Sequence, residues 1–314
     1  MGYANGTGTG ATFDYPAGVA FDNNNLYVCD SANSTIRQIS LATGVVTTIA
    51  GQPGVASFQD NTSQPTFFNH PEGIAYDGAG NLYIADSGNN VIRRLQISSG
   101  AVTTIAGNVT VSPPGFADGT GTAANFSNPL GICYDGAGNL YVADSGNSAI
   151  RKVTNITGGA NAGVVQTLAG SPTTSTFYWP QGVVFANPYL YVVDSGYDAV
   201  FQVTATPPGV ATVLAGSGNA GDVDGTGAAA QFNWPEGIAT DNTNLYIADT
   251  LNSTIRQVTI SSGAVITLAG QGQVTGSSDG AGNVAKFNHP MRLAVNTGTI
   301  YAADTYNETI RMIQ

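Results

Sequence analysis

Hydrophobic and polar positions alternate with a period of two over short segments of the chain, a pattern typical of β-strands and not of helices. Within residues 73–107 four such segments follow one another: GIAYD, LYIAD, VIRRLQI and AVTTIAG. The intervening sequence DGAGN, residues 77–81, supplies glycines for the positive φ angles of a tight hairpin turn. The pattern predicts four short antiparallel strands, which we call A, B, C and D in chain order.

This four-strand unit recurs six times along the chain. A proline marks the entrance to strand A at Pro16, Pro71, Pro129, Pro180, Pro235 and Pro290. An aspartate marks the end of strand B at Asp30, Asp86, Asp144, Asp194, Asp249 and Asp304. A unit of this kind cannot bury both faces alone, so the six copies are expected to stack around an axis as a β-propeller. We expect one all-β domain over residues 1–314, with blades at approximately residues 1–57, 58–115, 116–171, 172–222, 223–277 and 278–314.

The last unit differs from the others in its strand count. It ends with TIRMIQ, residues 309–314, which corresponds to strand C. Five units of four strands and one of three predict 23 strands in the propeller. The outer edge of blade 6 is therefore expected to be open, with the unpaired backbone of residues 310–313 available for strand addition.

The units resemble NHL repeats of the tandem bacterial kind. The resemblance rests on P-x-G-[IV]-A-x-D, N-L-Y-[VI]-A-D-[ST]-x-N-x-x-I-R and V-x-T-[IL]-A-G, which occupy residues 235–241, 244–256 and 265–270 in unit 5. A loop between units also repeats, at residues 4–13, 117–126, 223–232 and 278–287, with a weaker form at 59–68. The resemblance covers essentially the whole chain and implies a six-bladed propeller with strand A innermost and strand D outermost.

Most of the arginines in the chain have a structural explanation. Five of them share one position on strand C, where unit 4 has Phe201: Arg37, Arg93, Arg151, Arg256 and Arg311. Each unit also keeps the aspartate at the end of strand B, which predicts a hydrogen bond from arginine to aspartate within the blade. We interpret the DGTG and DGAG loops, with Asp118, Asp224 and Asp279, as turns.

The symmetry breaks on both sides of the entrance proline. The residues before it are Tyr15, His70, Asn128, Trp179, Trp234 and His289, and those after it are Ala17, Glu72, Leu130, Gln181, Glu236 and Met291. Alternate positions on an extended segment share a face, so both sets are expected to surround one mouth of the central channel. The candidate ligand-binding residues are Tyr15, His70, Glu72, Trp179, Gln181, Trp234, Glu236, His289 and Arg292. Three interpretations stay open at this point: a plug of the axis, a site for a small molecule or peptide, and a metal site.

An enzymatic alternative comes from one propeller that the fold resembles, peptidyl-α-hydroxyglycine α-amidating lyase. Its zinc histidines directly follow a strand-A proline, a position where this chain has no histidine. His70 and His289 precede their prolines, and two histidines need a third ligand such as Glu72 to form a catalytic zinc site. The alternative function is therefore a metal-dependent lyase or hydrolase built on these three residues.

Composition narrows the function classes further. With 9 Lys+Arg against 20 Asp+Glu, the net charge of -11 repels nucleic acids. No apolar run is long enough for a membrane span, and Cys29 and Cys133 are expected to be buried thiols and not a disulfide. We expect a monomeric, non-enzymatic binding, scaffold or sensor domain without cofactor, metal or catalytic residues, with a protein, peptide or small molecule as ligand. Its surface, rich in Ser, Thr and Asn and poor in Lys, indicates an extracellular or cell-envelope location within a larger secreted protein.

Overall fold

A computed structural model describes residues 2–61 and 65–314. Its strands form six antiparallel sheets, in each of which strand A lies at one edge. The A strands of successive blades contact one another in a closed ring, with blade 6 against blade 1. The chain is thus an all-β, six-bladed propeller with strand A innermost, as the sequence predicts.

The first three blades each have four strands. Blade 1 consists of Pro16–Phe21, Asn25–Asp30, Thr35–Ser40 and Val45–Gly51. Blade 2 consists of Pro71–Tyr76, Asn81–Asp86, Val91–Gln96 and Ala101–Ala106. Blade 3 consists of Pro129–Tyr134, Leu140–Asp144, Ala149–Thr154 and Val164–Gly170.

The remaining blades include the incomplete one. Blade 4 consists of Pro180–Ala186, Tyr189–Asp194, Ala199–Thr204 and Ala211–Ala215. Blade 5 consists of Pro235–Thr240, Asn244–Asp249, Thr254–Thr259 and Ala264–Ala269. Blade 6 consists of Pro290–Asn296, Thr299–Asp304 and Thr309–Ile313. Its sheet has three strands in the described chain, so the predicted strand count of the last blade is confirmed.

The repeated loop before a blade adds short elements that the sequence pattern does not reveal. Two-residue strands pair with the outer edge of strand D in three blades: Gly6–Thr7, Gly119–Thr120 and Gly225–Thr226. The same loop contains single-turn 3₁₀ helices at Gly8–Gly10, Gly121–Ala123, Gly227–Ala229 and Gly282–Val284. Further single-turn 3₁₀ helices directly follow strand B at Ser87–Asn89, Ser145–Asn147, Thr250–Asn252 and Thr305–Asn307. Residues 62–64 of the weaker loop in unit 2 lie outside the described residues.

The predicted bond between arginine and aspartate occurs in five blades. In blade 5, Arg256 Nη1 donates to Asp249 Oδ2 at 2.7 Å, and both side chains are fully buried. The interpretation of the loop aspartates as turns is incomplete, because Asp224 is a second partner of Arg256 at 2.8 Å. The guanidinium also lies over the ring of Phe232, 5.2 Å from its centroid. Each such arginine therefore ties strand B, strand C and the loop together with charge-assisted hydrogen bonds.

Hydroxyl groups connect neighbouring blades. In five of the six blades the serine or threonine that follows strand B donates to the carbonyl of the entrance proline of the next blade, as Thr250 does to Pro290 at 2.8 Å. Thr305 of blade 6 donates to Pro16 of blade 1 at 2.8 Å, which closes the ring. Apolar side chains from facing sheets fill the space between blades, and their clusters follow one another around the ring.

The two cysteines carry free thiols, as expected. Cys29 lies in the core between blades 1 and 2, and Cys133 packs against the core between blades 3 and 4. Within the described residues no helix has the length and apolar composition that crossing a membrane requires.

Candidate functional site

The chain enters strand A through a left-handed residue in five of the six blades, and this differs from the expected extended geometry. The φ angle is 54° at Tyr15, 54° at Trp234 and 53° at His289. The aspartate at the end of strand B explains the turn. In blade 5, Asp249 Oδ1 accepts a hydrogen bond at 2.8 Å from the backbone N–H of Asn233, the residue before Trp234. His70 and Asn128 have similar φ angles, 48° and 49°. Trp179 does not have a positive φ angle.

The turn separates the residues on the two sides of the proline into two layers. Those before the proline form the rim, where Trp234 is 38% exposed and His70 is also exposed. Those after it are mostly buried around the axis, including Gln181, Glu236 and Met291. The mouth therefore has an exposed aromatic rim above a buried inner layer.

A cavity of about 350 Å³ opens at this mouth between blades 5, 6 and 1. Its lining consists of Tyr15, Trp234, Glu236, Thr250, Leu251, His289, Met291 and Tyr306. Tyr306 packs against both rim neighbours, with ring centroids 4.5 Å from His289 and 5.8 Å from Tyr15. Five residues that flank the entrance prolines thus lie in one pocket, whose walls are largely aromatic and apolar.

Leu251 and Tyr306 were not predicted as site residues. Both occupy the second position after the strand-B aspartate, where the other four units have Ala or Gly. The small residue is sterically required there in blade 4, because a Cβ at Gly196 would collide with the side chain of Tyr178. Large residues at this position in units 5 and 6 are the sequence signal that marks the cavity.

Three charged side chains lie in the inner layer at the axis: Glu72, Glu236 and Arg292. Glu236 and Arg292 are 8% and 6% exposed. Arg292 Nη1 donates to the main-chain carbonyl of Glu236. Among the described residues, neither carboxylate lies within 4.0 Å of the guanidinium, although all three groups interact electrostatically.

Several polar atoms of this trio are buried without a hydrogen-bonding partner. They are Glu72 Oε2, Glu236 Oε2, Arg292 Nε and Arg292 Nη2. Unpaired buried polar atoms are costly, and in native proteins each one calls for a physical explanation. Two acceptors and two donors without partners are thus concentrated in the inner layer.

Ser31 holds Glu72 in place. In the five other blades the corresponding hydroxyl donates to the next proline carbonyl. Ser31 instead donates to Glu72 Oε1 at 2.9 Å, which leaves Oε2 directed elsewhere. The hydrogen bond between blades 1 and 2 thus differs from that of the other blades, and it orients the carboxylate of Glu72.

The inner layer perturbs the ionisation of its own carboxylates. Burial raises the pKa of Glu236 to about 7; Arg292 opposes this shift and Glu72 adds to it. Burial also raises the pKa of Glu72, against the lowering effects of Arg292 and Ser31. The pKa of Tyr15 is raised by burial and by both glutamates. With a pKa of about 7, both the protonated and the ionised form of Glu236 are populated near neutral pH.

The other predicted residues lie around the same mouth but outside the cavity. Trp179 is half-buried on the rim of blade 4, and Gln181 lies buried below it. His70 Nδ1 is 2.8 Å from Asn69 Oδ1. His289, which does line the cavity, has the same contact, with its Nδ1 2.8 Å from Asn288 Oδ1. In the described ranges no three His, Cys, Asp or Glu side chains are placed to hold a metal ion, so His70, Glu72 and His289 are not brought together.

The opposite mouth has a wider funnel, which the sequence analysis did not anticipate. It has a volume of about 540 Å³, and the last residues of the A strands form its walls, with Phe21, Tyr76, Tyr134 and Phe185 on four blades. Aromatic residues at the fifth position after the entrance proline are the signal that could have revealed it. Two carboxylates also line this funnel, Asp22 and Asp77, and both lie in turns that follow strand A.

Comparison with known proteins agrees with this architecture. The sequence profile of the NHL repeat matches residues 13–39, 68–95 and 126–153. The chain is therefore a six-bladed β-propeller that contains NHL repeats, and the resemblance inferred from its motifs is confirmed.

Two relatives show how far the similarity extends. Protein SUPPRESSOR OF QUENCHING 1, chloroplastic, from Arabidopsis thaliana is 30% identical over 95% of this chain, which covers 30% of that protein. NHL repeat-containing protein 2 from Homo sapiens is 28% identical over 96% of this chain, which covers 39% of that protein. The chain thus spans about a third of the length of the curated relatives it matches.

Solved structures share the fold at low sequence identity. An auxiliary nutrient binding protein from Bacteroides thetaiotaomicron matches all of this chain and 72% of its own, with a TM-score of 0.74 and 18% identity. A virginiamycin B lyase from Staphylococcus aureus matches 95% of this chain and 83% of its own, with a TM-score of 0.56 and 14% identity. At these identities the likeness concerns the fold alone.

Proposed function

We propose that this propeller is a non-enzymatic binding module whose ligand enters the cavity between blades 5, 6 and 1. The observation that carries the proposal is the buried, unpaired Oε2 of Glu236, which belongs to the cavity wall. A purely structural plug would be expected to pair its buried charges or to replace them with apolar residues. The nutrient-binding neighbour gives this class of function a precedent on the same fold.

The chemistry of the cavity favours a ligand with a protonated amine on an apolar or aromatic body. The two glutamates and Arg292 together carry one net negative charge when both glutamates are ionised. The rings of Tyr15, Trp234 and Tyr306 line the same cavity as Glu236, and aromatic faces attract cations. The net charge of -11 also attracts cationic ligands from solution.

Thermal denaturation with matched small molecules tests this proposal. We expect 2-phenylethylamine to raise the melting temperature in a saturable way, 2-phenylethanol to have little effect and phenylacetate to have none. The shift should increase as the pH rises through about 7, because Glu236 then ionises and attracts the ammonium group.

Three variants complete the design. Glu236→Gln and Trp234→Ala should each abolish the shift, the first through the charge and the second through the aromatic wall. Glu308→Gln is the matched control, because it removes the same charge outside the cavity. A shift that phenylacetate reproduces, or that Glu236→Gln retains, would contradict an amine-binding site.

The enzymatic alternative has a separate test. A metal-dependent lyase or hydrolase would retain close to one zinc ion per chain after purification without chelator and would lose it in His70→Ala. We expect substoichiometric zinc and calcium in elemental analysis. An extracellular or cell-envelope location stays a prediction.

A further inference from the structure

The funnel at the opposite mouth has an apolar inner end on the propeller axis. One branched aliphatic side chain from each blade lines this inner end: Val19, Ile74, Ile132, Val183, Ile238 and Leu293. The next residue of strand A is alanine in four of the six blades, and these small side chains leave the volume of about 540 Å³ unfilled. Because removal of apolar surface from water is favourable, the inner end favours an apolar ligand group.

Aromatic rings lie at the outer end of the funnel on four consecutive blades. They belong to half-buried residues at the end of strand A: Phe21, Tyr76, Tyr134 and Phe185. The strand-B tyrosine of the preceding blade stacks on two of them. The ring centroids are 6.3 Å apart for Tyr27 and Tyr76, and 6.0 Å apart for Tyr141 and Phe185. Aromatic rings attract cations, so the outer end favours a positively charged group.

The charge at this end of the propeller is negative. Asp22 and Asp77 line the funnel, each directly after one of the aromatic residues, and Asp135 has the same position in blade 3. Among the described residues of the lining there is no Lys or Arg. On the neighbouring C strands, Arg94 donates to backbone carbonyls and Lys152 lies 5.6 Å from the centroid of a tyrosine ring. The field at the outer end therefore attracts cations.

Both carboxylates of the lining already accept hydrogen bonds from their own turns. Asp22 Oδ1 accepts from the backbone N–H of Asn25 at 2.8 Å, and its Oδ2 accepts from the hydroxyl of Tyr27 at 2.6 Å. Asp77 Oδ1 accepts from the backbone N–H of Asn81 at 3.0 Å, and its Oδ2 accepts from the side-chain amide of Asn81 at 2.7 Å. The two groups are thus held in place and act on a ligand mainly through their charge.

We propose that the funnel is a second binding site, for a small amphiphilic cation with a quaternary ammonium head and a short alkyl chain. The chain lies among the aliphatic side chains of the inner end, and the head lies beside the rings and carboxylates of the outer end. A quaternary ammonium has no N–H group to donate, which matches carboxylates whose oxygens are already hydrogen-bonded. The cavity at the first mouth differs, because Glu236 Oε2 there has no partner and suits a primary ammonium.

Isothermal titration calorimetry with four matched six-carbon compounds tests this proposal. We expect hexyltrimethylammonium to bind one site with a dissociation constant below about 1 mM. Hexylammonium and 1-hexanol should each bind about tenfold more weakly, the first because its N–H groups lose hydration and the second because it has no charge. Hexanoate should not bind. Absence of saturable binding by hexyltrimethylammonium, or equal affinity for 1-hexanol or hexylammonium, would overturn the proposal.

Variants at both mouths locate the bound cation. Trp234→Ala and Glu236→Gln, which alter the first cavity, should leave the affinity for hexyltrimethylammonium unchanged. Asp22→Asn combined with Asp77→Asn should lower it about tenfold, because asparagine can keep the turn but carries no charge. Loss of binding in the first pair, or unchanged affinity in the second, would place the cation outside the funnel and overturn the assignment.

Two further variants separate recognition of the cation from changes in the fold. Asp222→Asn removes the same charge from an exposed position outside the lining and should leave the affinity unchanged. Tyr134→Leu keeps an apolar side chain but removes a ring, so it should weaken hexyltrimethylammonium about threefold and 1-hexanol little. A loss in Asp222→Asn as large as that of the double variant, or equal losses of both ligands in Tyr134→Leu, would contradict recognition of a cation by this funnel.

Discussion

Replacing Glu236 with glutamine should stabilise the protein at alkaline pH. Burial raises the pKa of this carboxyl from its ordinary 4.5 to about 7, because the ionised form is less well solvated in the folded state. The substitution keeps the shape of the side chain and removes its ionisation. It therefore isolates the free energy of holding this charge at the axis.

The magnitude follows from the shift in pKa. Each pKa unit corresponds to about 1.4 kcal/mol, so the shift of Glu236 corresponds to about 3 kcal/mol. Below pH 4.5 the group is protonated in both states and has no effect. As the pH rises towards 7 the unfolded chain loses its proton first, so stability falls, and above pH 7 the full cost is present.

Urea denaturation of the wild type and Glu236→Gln at several pH values between 5 and 8.5 measures this effect. The variant should be close to the wild type at pH 5 and more stable by about 3 kcal/mol at pH 8. Glu308→Gln should show no such pH-dependent gain, because it removes a charge outside the inner layer. If Glu236→Gln were equally stable or less stable at pH 8, the ionised carboxylate would be favourably paired, and the reasoning would be refuted.

Two further predictions concern the blades. Arg256→Ala should lower the free energy of unfolding by about 3–5 kcal/mol, because it leaves Asp249 buried without its cation. Arg311→Ala in blade 6 should lower the free energy of unfolding clearly less, because Arg311 is partly exposed. Equal losses in urea denaturation would contradict this difference. Burial raises the pKa of the Cys29 thiol, so Cys29 should react slowly with a thiol reagent at pH 8 in the native protein and fully in urea. The partly buried Cys133, which lines the funnel, should react faster in the native protein, and equal native rates for the two thiols would contradict this difference.

The repeat made the fold predictable from the sequence. The same pattern of hydrophobic and polar positions recurs six times, so the entrance prolines and strand-B aspartates define the blades without any structural information. The three strands of the sheet in blade 6 followed from the same comparison, because residues 290–313 match the A, B and C segments of the other units. Each repeated sequence segment forms the same strand in every blade, so the strand order within a blade could be derived from the sequence.

The candidate site was harder to predict from the sequence because its geometry depends on contacts between units. Sequence spacing suggested an extended entrance, whereas the aspartate of strand B bends it into a left-handed turn. No pattern within a single unit could show that Ser31 turns from a proline carbonyl to Glu72. Tyr306 and Leu251 were overlooked because they follow strand B in sequence and reach the mouth only through the packing of blades.

The inner layer at the axis departs from the symmetry of the repeat. It contains Glu72, Glu236 and Arg292, and Arg292 lies where the other units have glycine. Burial of Glu236 in this layer disfavours its ionised form, so its charge destabilises the fold. Retention of such a group fits the proposed binding role. A cationic ligand bound in the cavity should therefore stabilise the protein by neutralising charge that the common pattern of the repeat does not contain.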